Sequence, residues 1–285
     1  MSALAYGREL GFHAVGTRRC TGAGRGRCPL AAEVPARSTG AQCPECARLD
    51  RMRSVAADTM ADDPRPYRVY LAWFGPGMRK VGITAEARGS ARLLEQGAIA
   101  FSWLGRGPLM AARRTEELLR AALGVPDRIP YAAKRAARAG LPPRPERAAA
   151  LAELHARAVA LPGWPESLER APFAPVDHAA VFGLEDGAGT GAGGGGGLPP
   201  AAVVTELVAG GSIAGRLVAA AGPDLHVDVE GEGVVVVDTR LMKGWRLGHT
   251  GQQSGRGGSE GREGRGSWLD LPVRQVRGDV QDGLF

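Results

Sequence analysis

The sequence predicts an α+β protein: a small antiparallel sheet flanked by helices, a cysteine-bearing segment before it, and a β-rich module, a small barrel or meander, behind it. Three observations carry this expectation. Tyr67 to Ala98 reads as strand, tight turn, strand and the start of a helix. All four cysteines of the 285 residues fall between Cys20 and Cys46. After a glycine-rich stretch, residues 201–247 alternate β-branched runs with Gly, Pro and Asp turns at a spacing of about ten residues.

Taken in order, Gly11 to Gly16 is a strand candidate leading into the cysteines. Cys20 and Cys28 are spaced C-x7-C, and Cys43-Pro44-Glu45-Cys46 is C-x2-C. Two thiol pairs, with no cysteine elsewhere, are what a closed tetrahedral structural zinc site requires, the x2 spacing turning two sulfurs toward one ion. Unbound or redox cysteines are the other reading; a redox pair asks for a helix N-terminus and a βαβ setting, and here a Gly/Pro/Ser-rich loop precedes the C-x2-C. His13 is an alternative ligand, though a lone His on a strand is more often packed or solvated. Ala47 to Asp58 follows as a helical run that connects this segment to the hairpin.

The hairpin arms are Arg68 to Phe74 and Lys80 to Thr84, joined by Gly75-Pro76-Gly77, where Pro fixes φ and Gly supplies positive φ. Gly82 inside the second arm marks a bulge or a backbone that something approaches closely. Ser90 to Gln96 is helical and Gly97 is placed to end it. Ile99 to Leu104 is a third strand beside the hairpin, and Leu109 to Leu123 the clearest helix, closed by Gly124 and Pro126. Tyr131 to Arg138 and Pro145 to Ala160 are further helices, with His155 and His178 read as structural. The resulting partition is 1–60 for the cysteine segment and its connecting helix, 65–183 for the α+β domain with its helical extension, 184–200 for a linker, and 201–285 for the β-rich module. Within the last, 248–266 is a low-complexity insert.

The formal net charge is +6, but it is not spread evenly. Between Arg65 and Ala139 fourteen basic residues stand against five acidic ones, so this segment alone carries +9. A concentrated basic segment suits a polyanion, DNA or RNA; a solvated basic surface is the plain alternative. No run approaches the length of apolar residues that a membrane helix needs, and the first ten residues lack a signal peptide's charged and apolar regions, so a cytoplasmic protein without a membrane partner is expected. No P-loop, dinucleotide fingerprint, HExxH or nucleophile elbow occurs in the sequence.

The hairpin stretch resembles the core of the GIY-YIG nuclease superfamily, and more closely its divergent KIG-T branch. Arg68-Val69-Tyr70 stands where G-I-Y would be, and Lys80-Val81-Gly82, ten residues on, where Y-I-G would be. Lys80 thus replaces the second Tyr and Arg68 the first Gly. The resemblance implies Tyr70 as a group that helps activate water, Arg88 or Arg92 as the helical Arg that stabilises phosphate charge, and Glu116 or Glu117 as the ligand of one Mg²⁺ or Mn²⁺; Lys80 departs from the pattern, which argues for altered or absent catalysis, and as a point charge it is read as a phosphate contact. The plain alternative for Glu116 and Glu117 is a solvated helix face paired with Arg113 and Arg120. The full chain also resembles a bacterial family of unknown function with a KVG-IT…EQGA signature, here Lys80 to Thr84 and Glu95 to Ala98. The expectation is a nucleic-acid-binding protein, as a divergent metal-dependent endonuclease or as an inactive scaffold stabilised by structural Zn²⁺.

Overall fold

A computed structural model describes residues 5–24, 26–52, 63–126, 128–185, 196–249 and 267–276. The expected connecting helix beyond Met52, residues 186–195 of the glycine-rich linker and residues 250–266 of the insert lie outside the described residues. Among the described residues the chain forms six helices and two sheets, a mixed α+β architecture in which all but one of the strand pairs with a described register are antiparallel. It divides into two compact units: Val55–Pro199 with Ala221–Pro223, and Met1–Ser54 with Pro200–Ala220 and Asp224–Phe285.

The first of these, the central unit, is organised by the hairpin. β2 (Pro66–Gly75) and β3 (Met78–Ala85) pair antiparallel around Pro76-Gly77, with Gly77 at φ 71°. The short helix α2 (Ala91–Gln96) ends on Gly97 in the left-handed region, whose N–H returns to the Leu93 and Leu94 carbonyls. β4 (Ala100–Pro108) pairs antiparallel with the other side of β2. The two-residue strands β5 (Glu169–Arg170) and β6 (Val176–Asp177) both pair with β4, giving the order β3-β2-β4-β5.

Central β2 is covered on both faces, which is why Val69-Tyr70-Leu71-Ala72-Trp73-Phe74 reads as one unbroken apolar run rather than an alternation. On one face Tyr70, Ala72 and Phe74 pack with Phe101 of β4 and Leu93 of α2. Helix α3 (Leu109–Leu123) runs against β2, β3 and β4, burying Leu109, Ala112, Thr115 and Leu119. Helix α4 (Tyr131–Ala137) meets β2, and α5 (Arg144–Val159) meets β4 and β2. A buried ion pair ties α5 to β6: Arg147 grips both Asp177 oxygens at 2.8 and 3.1 Å and donates to the Pro142 carbonyl. His178 packs between Phe101 and Phe182 and bonds the Ala98 carbonyl, and His155 lies against Phe173. Burial lowers the pKa of both rings, with backbone hydrogen bonds partly opposing it.

The second unit joins the two ends of the chain. β1 (Glu9–Val15) pairs antiparallel with β8 (Ser212–Ala221) on one side and β11 (Arg246–His249) on the other. With β9 (Asp224–Val229), β10 (Gly233–Asp238), β7 (Ala202–Val204) and β13 (Val273–Gln275) the order is β11-β1-β8-β9-β10-β7-β13, and β12 (Trp268–Asp270) pairs with β8. The pairing of β10 with β7 is parallel. One core fills the unit, drawn from Phe12 and Ala14 at one end of the sequence and Val227, Val235, Val237 and Leu241 at the other. Leu241 lies on the one-turn helix α6 (Thr239–Met242), capped by the Asp238 carboxylate through the Arg240 N–H. The cysteines sit in this unit, Cys46 within helix α1 (Pro44–Met52) and the other three between it and β1.

Candidate functional site

The central unit gathers polar groups around one buried phenol. Tyr70, 1 % exposed, stands opposite Gly82 across the β2–β3 ladder and opposite Trp103 across β2–β4. A methyl on Gly82 would overlap the Tyr70 ring and hydroxyl, so the glycine is what lets the phenol lie flat over β3. The Tyr70 hydroxyl accepts a hydrogen bond from Gln96 Nε2 at 3.0 Å, and Lys80 Nζ reaches Gln96 Oε1 at 3.5 Å. Gln96 itself is buried at the end of α2, its backbone carbonyl accepting from Lys134 Nζ at 3.0 Å.

Burial raises the Tyr70 pKa above its ordinary value. The Gln96 hydrogen bond and the Arg92 charge hold it down, while the Glu116 charge adds to the rise. Tyr70 therefore senses a guanidinium on α2 and a carboxylate on α3. Next along the same face of β3 from Gly82, the Thr84 hydroxyl is buried with no hydrogen-bond partner among the described residues.

The structure separates the paired candidates. Glu116 is half-buried on α3 and acts on Tyr70, whereas Glu117 is exposed and pairs with Arg120 at 2.6 Å. Arg92 acts on Tyr70, whereas Arg88 is bound to Glu95 at 2.6 Å; Glu95 also meets Arg92, at 3.7 Å. Lys80 is joined to Tyr70 through Gln96, Arg92 and Glu116 act on its pKa, and Arg88 and Glu117 have no described link to the phenol. Gln96 is the member that sequence reasoning left out. A polar side chain immediately before a helix-ending glycine, on the helix face that carries Leu93, was the available signal.

The basic excess is partly spent inside the fold. Lys134 is buried over the Phe74 ring at 3.8 Å, and Arg138 is buried with its Nε on the Lys134 carbonyl. Arg68 and Arg106 both bind Glu86, and these bonds, Arg106's first, hold its carboxyl below the usual range. The surface is accordingly less basic than the count of charges implies.

The second cluster is formed by Cys20, Cys28, Cys43 and Cys46, whose sulfurs all lie within 4.8 Å of one another. Cys20, Cys43 and Cys46 are buried and Cys28 partly so. Cys43 opens α1, with Pro44 in the first turn, where its missing N–H costs nothing. The Cys20 sulfur accepts from the backbone N–H of Cys43 at 3.1 Å and of Gly22 at 3.4 Å. Burial pushes the Cys46 thiol well up, and the neighbouring thiols push the same way; hydrogen bonding, first from the Ala32 backbone, brings Cys28 down to about 7.

The long Cys20–Cys28 loop is pinned by Asp50 of α1, which accepts from the Gly24 N–H at 2.6 Å and from Gln42 Nε2, while Gln42 also donates to the Gly22 carbonyl. From the other side, Arg18, 3 % exposed, donates to five carbonyls: Pro35, Ala36, Ser38, Arg240 and Lys243. The arrangement can hold one metal ion in an all-sulfur shell.

A model of a family described as a protein of unknown function, DUF2797, matches residues 7–247. The chain belongs to the DUF2797 family. The match runs from just before β1 through the first part of β11, so both clusters lie inside what defines DUF2797. Comparison of this DUF2797 chain with the curated proteins and with the solved structures found no match. Among its described residues no helix is long and apolar enough to cross a membrane.

Proposed function

We propose that this protein acts on nucleic acid through the Tyr70 cluster, as a divergent metal-dependent endonuclease of the GIY-YIG type working in the cytoplasm. The polar surroundings of Tyr70 support the reading: Gln96 donates to its hydroxyl, Lys80 reaches Gln96, and the charges of Arg92 and Glu116 act on the phenol in opposite directions. In this reading Arg92 and Lys80 offset phosphate charge, Lys80 as a point charge where the resemblance has a Tyr. Glu116 is the residue that would hold Mg²⁺ or Mn²⁺, ions that accept one carboxylate and keep several waters, and the ion would neutralise charge developing on the phosphate.

The four thiols are read as the ligands of a structural Zn²⁺, closed to substrate and kept reduced by the compartment. Backbone N–H groups aimed at Cys20 Sγ and the single cluster of sulfurs support that reading.

The test is cleavage of branched, duplex and single-stranded DNA, and of RNA, with Mg²⁺ or Mn²⁺, comparing the unmodified protein with Glu116→Gln and Glu117→Gln. Metal-dependent cleavage lost in Glu116→Gln and kept in Glu117→Gln is the expected result. Cleavage that survives Glu116→Gln removes the metal assignment. A second reading, a scaffold that has kept the fold and lost the chemistry, is favoured by Lys80 at the second Tyr position and by the internal use of Lys134 and Arg138. It expects no cleavage with any of these substrates.

A further inference from the structure

We propose that the unit built from the two ends of the chain binds a phosphorylated aromatic base, a nucleotide, in a cavity where the cysteine-bearing segment meets the start of β11. The residues involved are not those of the function proposed above, and the two readings stand or fall separately.

The cavity measures about 420 Å³, within the range of sites that take small organic molecules. Its walls are the end of β1 from Val15 to Thr17, the stretch from Arg19 to Thr21, and Gly244 to Arg246. Where the last two meet, the backbones are pressed together. The Arg19 N–H donates to the Gly244 carbonyl at 2.8 Å, and a methyl on Gly244, at φ 87°, would overlap the Arg19 carbonyl. Buried Arg18 ties the same segments, donating to the Arg240 and Lys243 carbonyls on one side and to those of Pro35 and Ser38 on the other. The walls are therefore held in place by the fold. Cys20 is the one cysteine among the lining residues, so the cavity adjoins the sulfur cluster and is not the space between the sulfurs.

The lining is positive. It contains no carboxylate and two guanidiniums, those of Arg19 and Arg246. Arg246 is exposed, opposite Val15 in the β1–β11 ladder, and its guanidinium has no hydrogen bond or ion pair among the described residues. Arg19 donates to the Ala31 carbonyl at 3.0 Å and meets Glu33 at 3.4 Å. Both members of that pair are more than half exposed, so water screens it and it is weak. An anion in the cavity thus meets one unengaged cation and one loosely held. The two come from separate segments. A carboxylate is satisfied by one fork, whereas a phosphate presents oxygens to both.

Most of the remaining wall is apolar, and its one aromatic, Trp245, is backed by the hydrophobic core of the unit. An indole suits the flat face of a base, and such stacking tolerates any base. The indole N–H of Trp245 is buried without an acceptor among the described residues, and buried indole N–H groups ordinarily have one. The ring nitrogens and carbonyl oxygens of a base supply an acceptor once the indole turns toward the cavity.

The experiment titrates the full-length, metal-loaded protein with adenosine monophosphate, adenosine, inorganic phosphate, benzoate and a short 5′-phosphorylated oligodeoxyadenylate. Calorimetry gives the affinities, and the indole ¹⁵N–¹H resonance of Trp245, assigned with Trp245→Phe, gives the place. Adenosine monophosphate should bind once per chain and move that resonance, with adenosine and phosphate each binding at least about tenfold more weakly, since each lacks half of the contacts. Arg246→Gln should weaken adenosine monophosphate about tenfold, the equivalent of one hydrogen bond to a charged group, and leave adenosine unchanged. Trp245→Phe should weaken both alike. Arg246 is exposed, so its variant keeps the question decidable if Trp245→Phe does not fold. An oligonucleotide bound more tightly than the mononucleotide, with the same dependence on Arg246, makes the ligand the end of a strand; equal or weaker binding makes it a free nucleotide.

A Trp245 resonance that neither nucleotide moves, binding indifferent to Arg246→Gln, or benzoate held as tightly as adenosine monophosphate overturns the inference. Cleavage at the Tyr70 site, or its absence, changes none of these readouts.

Discussion

The cysteine cluster and the Tyr70 cluster are assembled in opposite ways. The four sulfurs come from one short, mostly irregular stretch, and what aligns them is side-chain and backbone hydrogen bonding: Asp50 and Gln42 on one side, Arg18 on the other. The groups around Tyr70 come from β2, β3, α2 and α3, and regular secondary structure aligns them. The first cluster can hold an ion that would repay its buried thiols, whereas Tyr70, Ala72 and Phe74 of the second site pack with Phe101 and Leu93 in an apolar core. Metal removal should therefore be felt as lost structure in one place and as lost chemistry in the other.

The largest expected effect tests that dependence. Cys43→Ser, or strong chelation of the unmodified protein, should abolish stoichiometric metal in elemental analysis and melt the Cys20–Cys46 segment. A structural zinc site contributes on the order of 10 kcal/mol to such a segment, and hydrogen exchange should localise the loss. Retained protection of that segment after the metal has gone would break the contrast. Next comes Arg18→Met, which keeps the bulk and strands carbonyls at both ends of the unit. A destabilisation of about 3 kcal/mol is expected, read as a lower denaturant midpoint with the metal still bound.

For the Tyr70 cluster, Gly82→Ala should cost about 2 kcal/mol because the added methyl must displace the phenol. The Tyr70 resonance should move, and metal content should not. The smallest effect separates two adjacent carboxylates. Glu117→Gln, at an exposed pair, should change stability by less than about 0.5 kcal/mol and leave Tyr70 untouched. Glu116→Gln should be equally mild in a thermal melt yet lower the Tyr70 titration midpoint, since it removes a charge that raises it. Equal responses of Tyr70 to both substitutions would show that α3 is not turned as described.

What could be read in advance was whatever is local. The hairpin declares itself through Gly75-Pro76-Gly77 between two apolar runs, and α3 through Pro108 and Gly124 at its ends. The cysteines announce themselves because no other residue type has their chemistry. Three things resisted. The partners of β1 lie roughly two hundred residues away, beyond any local pattern. Glu116 and Glu117 differ by one helical step, which sequence cannot convert into a facing direction without the register of the neighbouring sheet. The fold of the C-x7-C loop from Cys20 to Cys28 is not written in its own residues, since the contacts of Asp50 and Gln42, from farther along the chain, hold it back.

The pairing of β1 with β8 and β11 sets an order of events for the nascent chain. During synthesis β1 and the cysteines emerge ahead of the central unit's sheet, and β8 and β11, which flank β1, emerge only after it. The central unit, whose sheet and helices lie between residues 66 and 177, has all of those elements long before that. In that interval β1 and the thiols that follow it lack the strands that later flank them. A chain cut short in the glycine-rich linker would release a finished central unit together with an N-terminal strand that has no ladder to join, an exposed edge of the kind quality control recognises.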